Sequence, residues 1–166
     1  MVRTILYATD LGLYAPYVLQ HALGLARSFN ARLYVVHAVE PIGLFAESVL
    51  KTYLDEERMH ELRTSGLSTV MASIETRVLE GFRDELGEMS DDLDLITGVR
   101  VVQGDPPLMI LEEAQKLDVD LLVVGSHSHG TDMDIPMGRT ALRLVQLSEV
   151  PVYMVPMLQH RGRPDR

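Results

Sequence analysis

Two short segments rich in small and polar residues carry the side chains most able to bind a ligand. They cover residues 9–12 and 125–130, and each directly follows a short apolar run. Small residues let the backbone approach a ligand closely, and a helix that begins after such a turn offers free N–H groups to an anion such as phosphate. A glycine after a strand can also serve only to make the turn, so spacing alone leaves both interpretations open.

The second segment continues into a cluster of residues that could bind a metal ion. His127, His129, Asp132 and Asp134 all fall within one predicted loop. Imidazole and carboxylate groups suit zinc or manganese, and a metal-dependent hydrolase that uses His127 and His129 is one hypothesis. A His-x-His pair in a loop is more often solvated or directed at phosphate, so the sequence favours a reading without a metal site.

Composition restricts the class of protein. The chain has 166 residues, of which 46% are hydrophobic and 23% are charged, which predicts one globular domain with a sizeable core. The formal net charge of -9 argues against a nucleic-acid partner and against binding to an anionic membrane surface. The sequence has no cysteine, which excludes disulfides and thiol catalysis. We expect no signal peptide, no membrane span and a cytoplasmic location.

Five short apolar runs predict the strands of a sheet. Four of them are rich in Val, Ile and Leu, as is typical of buried strands, and cover residues 4–8, 33–38, 99–102 and 121–124. The fifth run begins with Val150 and ends with Val155. Pro151 lies inside this run, and because proline cannot donate a ladder hydrogen bond, the run is predicted to be an edge strand.

Helical periodicity fills the first two connections between these runs. Pro16 and Asn30 bracket the first helix, and its predicted buried face contains Val18, Leu19, Ala22, Leu23, Ala26 and Phe29. The longest connection contains a predicted helix from Leu67 to Gly87 and an earlier helical piece over residues 54–62, with Gly66 between them. The acidic segment over residues 85–94 is predicted to be a solvated loop.

Two more helices follow the third and fourth strands. Asp105 and Pro106 are typical of the cap and first position of a helix, whose predicted buried face contains Ile110, Leu111, Ala114 and Leu117. The last helix is predicted to begin near Gly138 and to carry Ala141, Leu142, Val145 and Leu147. Alternating strands and helices predict an α/β fold over residues 1–157, a single Rossmann-like doubly wound domain with helices on both faces of a parallel sheet. Residues 158–166 are predicted to be a disordered basic tail.

The segments ILYATD at 5–10, GDP at 104–106, DLLVVGSH at 120–127 and VPV at 150–152 occur together. In this combination the chain resembles the universal stress protein family over nearly its whole length. The resemblance implies a five-stranded parallel sheet, a role in surviving stress, and a cytoplasmic homodimer in which the last strands of two chains pair. The proline-marked fifth strand independently favours such pairing, because sheet edges are natural sites for strand addition.

Members of that family that hold ATP resemble the pattern G-x2-G-x9-G-[ST]. This chain has Gly125 and Gly138 at the correct spacing, but Ser128 stands at the second glycine and Arg139 at the small hydroxyl residue, with Thr140 one position later. A serine adds a side chain where backbone is expected to lie against phosphate. Arg139 can be interpreted as a phosphate clamp, as a plug in the pocket or as a surface residue.

The remaining positions of the implied nucleotide site are present. By the resemblance, Asp10 contacts the ribose or adenine side, Ala8 and Thr9 adjoin it, and Ala38 lies where the family lines the adenine pocket with backbone groups. Val124 completes the predicted set before Gly125. The sequence therefore predicts a site for an adenine nucleotide, with ATP and magnesium as the candidate cofactors.

The favoured function is a dimeric stress-response regulator or binding module that binds ATP through a variant phosphate loop. The alternative is a dimeric interaction protein of the same family that binds no nucleotide. The sequence contains no GxGxxG after the first strand, no GxxxxGK and no G-x-S-x-G, so we predict no enzyme and no catalytic residue, slow ATP hydrolysis aside. His37 is predicted to be a partly buried, hydrogen-bonded histidine.

Overall fold

The computed structural model describes residues 1–12, 14–41, 43–61, 67–127 and 137–157. Strands and helices alternate through these ranges. The strands are β1 Thr4–Ala8, β2 Arg32–Val39, β3 Ile96–Gln103, β4 Leu121–Gly125 and β5 Val152–Val155. The α-helices are α1 Ala15–Phe29, α2 Leu44–Tyr53, α3 Glu56–Glu61, α4 Leu67–Leu86, α5 Pro106–Lys116 and α6 Arg139–Leu147. A 3-10 helix spans Gly87–Leu95.

The five strands form one parallel sheet in the order β3-β2-β1-β4-β5. In the centre, Ile5 of β1 lies beside Leu33 of β2 and Leu121 of β4. From β1 the chain moves outward to β2 and β3, and then returns to add β4 and β5 on the other side. The winding therefore reverses between β1 and β4, and in open α/β sheets ligands bind at that point, beyond the carboxyl ends of the strands.

The sheet is covered on both faces, as the alternating pattern predicts. Side chains alternate along each strand, so Ile5 and Val35 pack on the side of α1 and α4, whereas Leu6 and Val36 pack on the side of α5 and α6. Near-continuous apolar strands are required because both faces are buried. The prediction of an α/β doubly wound domain is confirmed.

At the opposite, amino-terminal end of the sheet, a carboxylate links the starts of two neighbouring strands. Asp120 Oδ2 accepts hydrogen bonds from the backbone N–H groups of Arg3, at 2.7 Å, and Thr4, at 3.0 Å. These two bonds join the starts of β1 and β4, and they lower the pKa of Asp120 because they stabilise the ionised carboxylate.

Several predicted boundaries require correction. The structure extends β3 to residues 96–103 and begins β5 only at Val152. The helical piece predicted over 54–62 is present as α3, and the structure adds α2 before it, which the sequence did not predict; residues 62–66 lie outside the described part of the chain. The end of α4 agrees with the prediction, because Gly87 adopts a positive φ of 49° that suits glycine.

The acidic segment over 85–94 is not a solvated loop. It contains the end of α4 and most of the 3-10 helix, in which Leu93 is buried in the core on the α1 side. Asp92, on the same helix, forms an ion pair with Arg27 of α1. The segment was mispredicted because acidic composition indicates solvent exposure of many residues but does not reveal that Leu93 is buried in the core.

Three predicted helix features are also wrong in detail. Asp105 stands at the cap of α5, but its side chain makes no capping hydrogen bond. Phe29 ends α1 largely exposed, outside the buried face. On α6 only Ala141 and Leu144 are buried, whereas Leu142, Val145 and Leu147 are 44%, 47% and 45% exposed. Helical periodicity identifies an apolar stripe, but it does not show whether the chain itself covers that stripe.

Within the described residues, no helix has the length and apolar character needed to cross a membrane.

Candidate functional site

A cavity of about 290 Å³ opens at the carboxyl ends of β1, β2 and β4. Ala8, Ala38 and Gly125 mark those three strand ends, so the cavity lies at the reversal of the winding. The starts of α1, α5 and α6 supply further walls through Ala15, Pro106 and Thr140 respectively. The volume is near the lower end of the range of about 300–1,000 Å³ usual for small-molecule sites.

Most of the residues predicted from sequence line this single cavity. They are Ala8, Thr9, Asp10, Ala38, Val124, Gly125 and Thr140. Gly138 and Arg139 lie next to Thr140 but are not part of the lining, and Arg139 is exposed on the first turn of α6. Ser128 lies outside the described residues. The structure therefore brings together the predicted base and ribose positions more completely than the predicted phosphate positions.

The turn after β1 is shaped by its own side chains. Thr9 is buried and its Oγ1 accepts a hydrogen bond from the N–H of Leu11 at 3.1 Å, while Asp10 Oδ1 accepts one from the N–H of Gly12 at 2.9 Å. Leu11 adopts a φ of 58°, a conformation that non-glycine residues seldom adopt without local support. Together these bonds fix the backbone direction and place Asp10 on the cavity wall.

His37 lines the same cavity and links two strand ends. Its Nδ1 lies 2.9 Å from the carbonyl oxygen of Thr9. A carbonyl can only accept, so Nδ1 carries the hydrogen and Nε2 is the acceptor of the neutral ring. His37 is half-buried and hydrogen-bonded, as predicted, but the sequence did not identify it as part of the cavity wall.

Ser126 organises the end of β4. Ser126 is buried, and both its backbone and its side chain form hydrogen bonds to distant parts of the chain. The Ser126 N–H donates to the carbonyl of Val155 at 2.9 Å, its carbonyl accepts from the N–H of Gly138 at 2.7 Å, and its Oγ accepts from the N–H of Met157 at 2.9 Å. This serine therefore ties β4 to α6 and to the chain after β5, a structural role that the sequence did not indicate.

His127 lines the cavity beside Ser126. Its Nδ1 lies 2.8 Å from Ser126 Oγ, within hydrogen-bonding distance, and the same hydroxyl oxygen accepts from the N–H of Met157. The hypothesis of a metal site involves His129, Asp132 and Asp134 as well, which lie outside the described residues. Among the residues that are described, no group of three or more His, Cys, Asp or Glu side chains could hold a metal ion.

Tyr7 supplies part of the cavity floor. Its hydroxyl donates a hydrogen bond of 2.9 Å to the carbonyl of Ala15, which joins β1 to the start of α1. Burial raises the pKa of the Tyr7 hydroxyl, and the nearby charge of Asp10 raises it further. The phenol is therefore a neutral hydrogen-bonding group at physiological pH.

Other lining residues were not predicted. In addition to Tyr7 and His37, they are Tyr14, Ala15, Val18, Glu40, Pro106, Ile110, Ala141, Leu144 and Met157, whereas His127 belongs to the predicted ligand-binding segment 125–130. Many of them belong to the first turns of α1, α5 and α6, and the helix-start signals at Pro16, Asp105 and Gly138 already indicate that these turns follow strand ends. Helix starts that follow parallel strands lie around the ligand crevice, so this signal could have identified them.

A parallel doubly wound sheet with helices on both faces and a cavity at the reversal of its winding defines the Rossmann-like class of α/β domains. The family model of the universal stress protein family matches residues 1–156. The chain therefore belongs to the universal stress protein family.

Individual relatives agree with this assignment. Universal stress protein A homolog 2 of Coxiella burnetii is 25% identical over 118 residues, which cover 70% of this chain and 69% of that protein. The solved structure of universal stress protein UspA from Lactobacillus plantarum has a TM-score of 0.67 at 18% identity, with 93% of this chain and 97% of that one covered. A universal stress protein solved in complex with cAMP has a TM-score of 0.58 at 20% identity over 93% of this chain and 97% of its own. These structural similarities show the fold.

Proposed function

We propose that this protein is a homodimeric stress-response regulator or binding module that binds an adenine nucleotide in the cavity at the carboxyl ends of β1, β2 and β4. The observation that carries the proposal is the convergence of seven predicted nucleotide residues on that one cavity. Ligand occupancy would change the surface presented by α6, whose Thr140 lines the cavity.

The wall chemistry supports an adenosine moiety. Apolar side chains and backbone at Ala8, Ala38 and Ile110 offer a surface for a flat base, and Asp10 offers carboxylate oxygens that can accept hydrogen bonds from ribose hydroxyls. The complex of a fold relative with cAMP shows that a nucleotide can be held by a protein of this architecture.

The fit to the implied ATP and magnesium is incomplete. The resemblance assigns the phosphates to residues 125–140, but Gly138 and Arg139 do not belong to the described cavity lining. No lysine or arginine is among the described residues of that lining. The proposal therefore rests on the adenosine part of the ligand.

Dimerisation is proposed through β5. In the described sheet, β5 pairs with β4 on one side only. The carbonyls of Pro151 and Val155 bond to β4, so the backbone groups of Val152 and Met154 point to the open edge. Tyr153 and Met154 expose apolar surface there, which suits the addition of a strand from a second copy.

Isothermal titration of the nucleotide-stripped protein with adenosine and with cAMP tests the binding proposal. Ala38→Phe fills the cavity and should reduce affinity for both ligands by more than about tenfold, because burial of the base is lost. Ala72→Phe is the matched control, since Ala72 is exposed on α4 and should leave the affinity unchanged. Extraction of denatured protein as purified would identify any adenine nucleotide retained from the cell.

Absence of binding by either ligand, together with no retained nucleotide, would contradict the proposal. It would favour the alternative, a dimeric interaction protein of the same family that binds no nucleotide. Equal loss of affinity in both phenylalanine variants would place the ligand outside the cavity.

Met154→Pro tests the dimer. It removes an N–H that points away from β4, so the fold of one chain is retained while pairing at the edge is blocked. Sedimentation velocity should show a dimer for the native protein and for Met154→Leu, and a monomer for Met154→Pro. A dimer in all three proteins would contradict pairing through β5. Val152 is less suitable for this test because it packs against the core.

A further inference from the structure

We propose that the protein has a second site, a groove between α1 and α4, that binds a small carboxylate with an apolar chain, of the class of medium-chain fatty acids. The groove is lined mainly by Leu11, Ala15, Ile74, Arg77, Val78 and Phe82. This site does not depend on nucleotide binding, so the two proposals can be tested separately.

The groove adjoins the same turn as the nucleotide cavity but has its own walls. Thr9 and Asp10 line the cavity, whereas Leu11 and Gly12 line the groove. Among the described residues, Ala15 is the one that belongs to both linings. The groove has a volume of about 310 Å³, close to the value for the cavity, and is therefore also large enough for a small ligand.

The floor of the groove is apolar and follows α4. Val78 and Phe82 are 5% and 4% exposed and belong to the core on the α1 side, and Ile74 packs against that core. From Ile74 to Phe82 the floor extends for about 12 Å along the helix, because each residue adds about 1.5 Å. A floor that follows a helix over two turns suits an extended chain, whose burial supplies the affinity.

Leu11 adds an apolar wall in an uncommon backbone conformation. It has a φ of 58° and is 40% exposed, and its N–H is held by Thr9 Oγ1 at 3.1 Å. Residues in sparsely populated conformations persist where surrounding bonds hold them, and they are concentrated at ligand-binding sites. Here the strained residue is one whose side chain lines the groove.

Arg77 supplies the charge that selects a carboxylate. It is the only charged residue in the described lining, and it is exposed to solvent. Within the described part of the chain, no ion pair or hydrogen bond engages its guanidinium. A guanidinium matches a carboxylate with two parallel hydrogen bonds. The net charge of -9 disfavours an anionic lipid surface as the source of this group, so the ligand is a free acid.

The test is amide chemical-shift mapping of the full ¹⁵N-labelled chain during titration with octanoate, below its micelle-forming concentration. The amides of Leu11, Ile74 and Phe82 should shift together with one saturation curve. Leu142 and Val145 expose apolar side chains on α6, outside the groove, and should not move. Absence of saturable shifts at the groove, or shifts of equal size on α6, would overturn the proposal.

Gly81→Leu tests the location of the chain. Gly81 lines the groove, and a Cβ at this position meets no other described part of the chain within 4 Å, so a leucine can fill the groove without displacing its neighbours. Octanoate affinity should fall by more than about tenfold, because burial of the chain is lost. Gly24→Leu is the matched control, since Gly24 is an equally open helical glycine outside the groove. Equal losses in both variants would overturn the proposed site.

Arg77→Gln tests the recognition of the carboxylate. It should lower the affinity for octanoate by about fivefold and leave the affinity for the neutral octanol unchanged, because only the carboxylate gains from the positive charge. Arg83→Gln removes the same charge at an exposed position of α4 outside the groove and should change neither affinity. If Arg77→Gln leaves octanoate binding unchanged, or weakens octanol binding equally, selection of a carboxylate is overturned.

Discussion

Two connections border the cavity, and they are built in different ways. The turn after β1 is held by its own side chains, through the bonds of Thr9 to Leu11 and of Asp10 to Gly12. The start of the connection after β4 is instead fixed by residues distant in sequence, because Ser126 forms hydrogen bonds with Val155, Met157 and Gly138. The first arrangement places side chains on the cavity wall, whereas the second fixes where β4 ends and α6 begins.

The difference indicates how the site can vary. The side-chain bonds of Thr9 and Asp10 to the turn's own backbone favour its geometry locally, and the neighbouring β2 adds bonds to Thr9 through Val36 and His37. The described bonds of the second connection lie at its ends, at Ser126 and Gly138, and loop segments tolerate changes in sequence. The departures at Ser128 and Arg139 follow Ser126 in sequence, and the bond between the Gly138 N–H and the Ser126 carbonyl involves backbone atoms only.

The largest expected effect is a loss of stability when Ser126, which fixes the connection after β4, is replaced. Ser126→Ala should lower the free energy of unfolding by about 2 kcal/mol, because the half-buried N–H of Met157 loses its acceptor and the ring of His127 loses one hydrogen-bond partner. Urea denaturation measures this loss. Ser28→Ala is the control: its hydroxyl bonds to Gly24 on the exposed side of α1, so the change should stay within about 0.5 kcal/mol. Similar losses in both variants would show that Ser126 is not an anchor.

The next effect distinguishes binding of the phosphate from binding of the nucleoside. Gly138→Asp places a carboxylate at the cap of α6, where aspartate stabilises a helix but repels an approaching anion. Affinity for cAMP should fall by about tenfold while affinity for adenosine is retained. Calorimetric titration with both ligands measures the ratio. An unchanged cAMP affinity would show that the start of α6 does not lie near the phosphate of the bound ligand.

A smaller effect is expected at the turn after β1. Asp10→Asn retains an oxygen that can accept from the N–H of Gly12, so the turn should keep its shape. The weaker acceptor should lower affinity for adenosine and cAMP by the same factor, about fivefold, because both carry the same ribose contact. The same titration checks this result. A loss confined to cAMP would show that Asp10 does not contact the nucleoside.

The smallest effect concerns backbone strain. Leu11→Gly relieves a left-handed conformation that costs a non-glycine residue about 1–2 kcal/mol. Glycine also makes the unfolded chain more flexible, which lowers the stability of the folded state by about 0.5–1 kcal/mol. A net stabilisation of about 0.5 kcal/mol should appear in urea denaturation. Asn30→Gly, at a similar φ that asparagine tolerates, should give a smaller gain. An equal gain at both positions would show that Leu11 is unstrained.

The sheet was predictable because its physical signal is local. Runs such as 5–8 and 121–124 are apolar throughout, as strands buried on both faces require. Pro151 placed β5 at an edge, and the structure confirms that position. The exposure of Leu142 and Val145 on α6 could not be predicted, because it depends on what covers the helix rather than on its periodicity.

The candidate site was predictable in part. Asp10, Ala38 and Gly125 were identified because each lies at the end of a strand that the sequence already defines. Glu40 and His37 were missed as wall residues because no local pattern distinguishes a cavity-facing side chain at a strand end from a solvent-facing one. Ser126 was missed as an anchor because its partners, Val155 and Met157, are distant in sequence.

Amide chemical-shift mapping with adenosine on the uniformly ¹⁵N-labelled, nucleotide-stripped protein tests the central claim most directly. An adenine ligand in the cavity should shift the backbone amides of Thr9, Asp10, Ala38, Gly125 and Thr140 together, with one saturation curve. Val49, exposed on α2 away from that wall, serves as the internal control and should not move. No shifts, or shifts confined to the separate apolar groove between α1 and α4 at Ile74, Val78 and Phe82, would contradict the account.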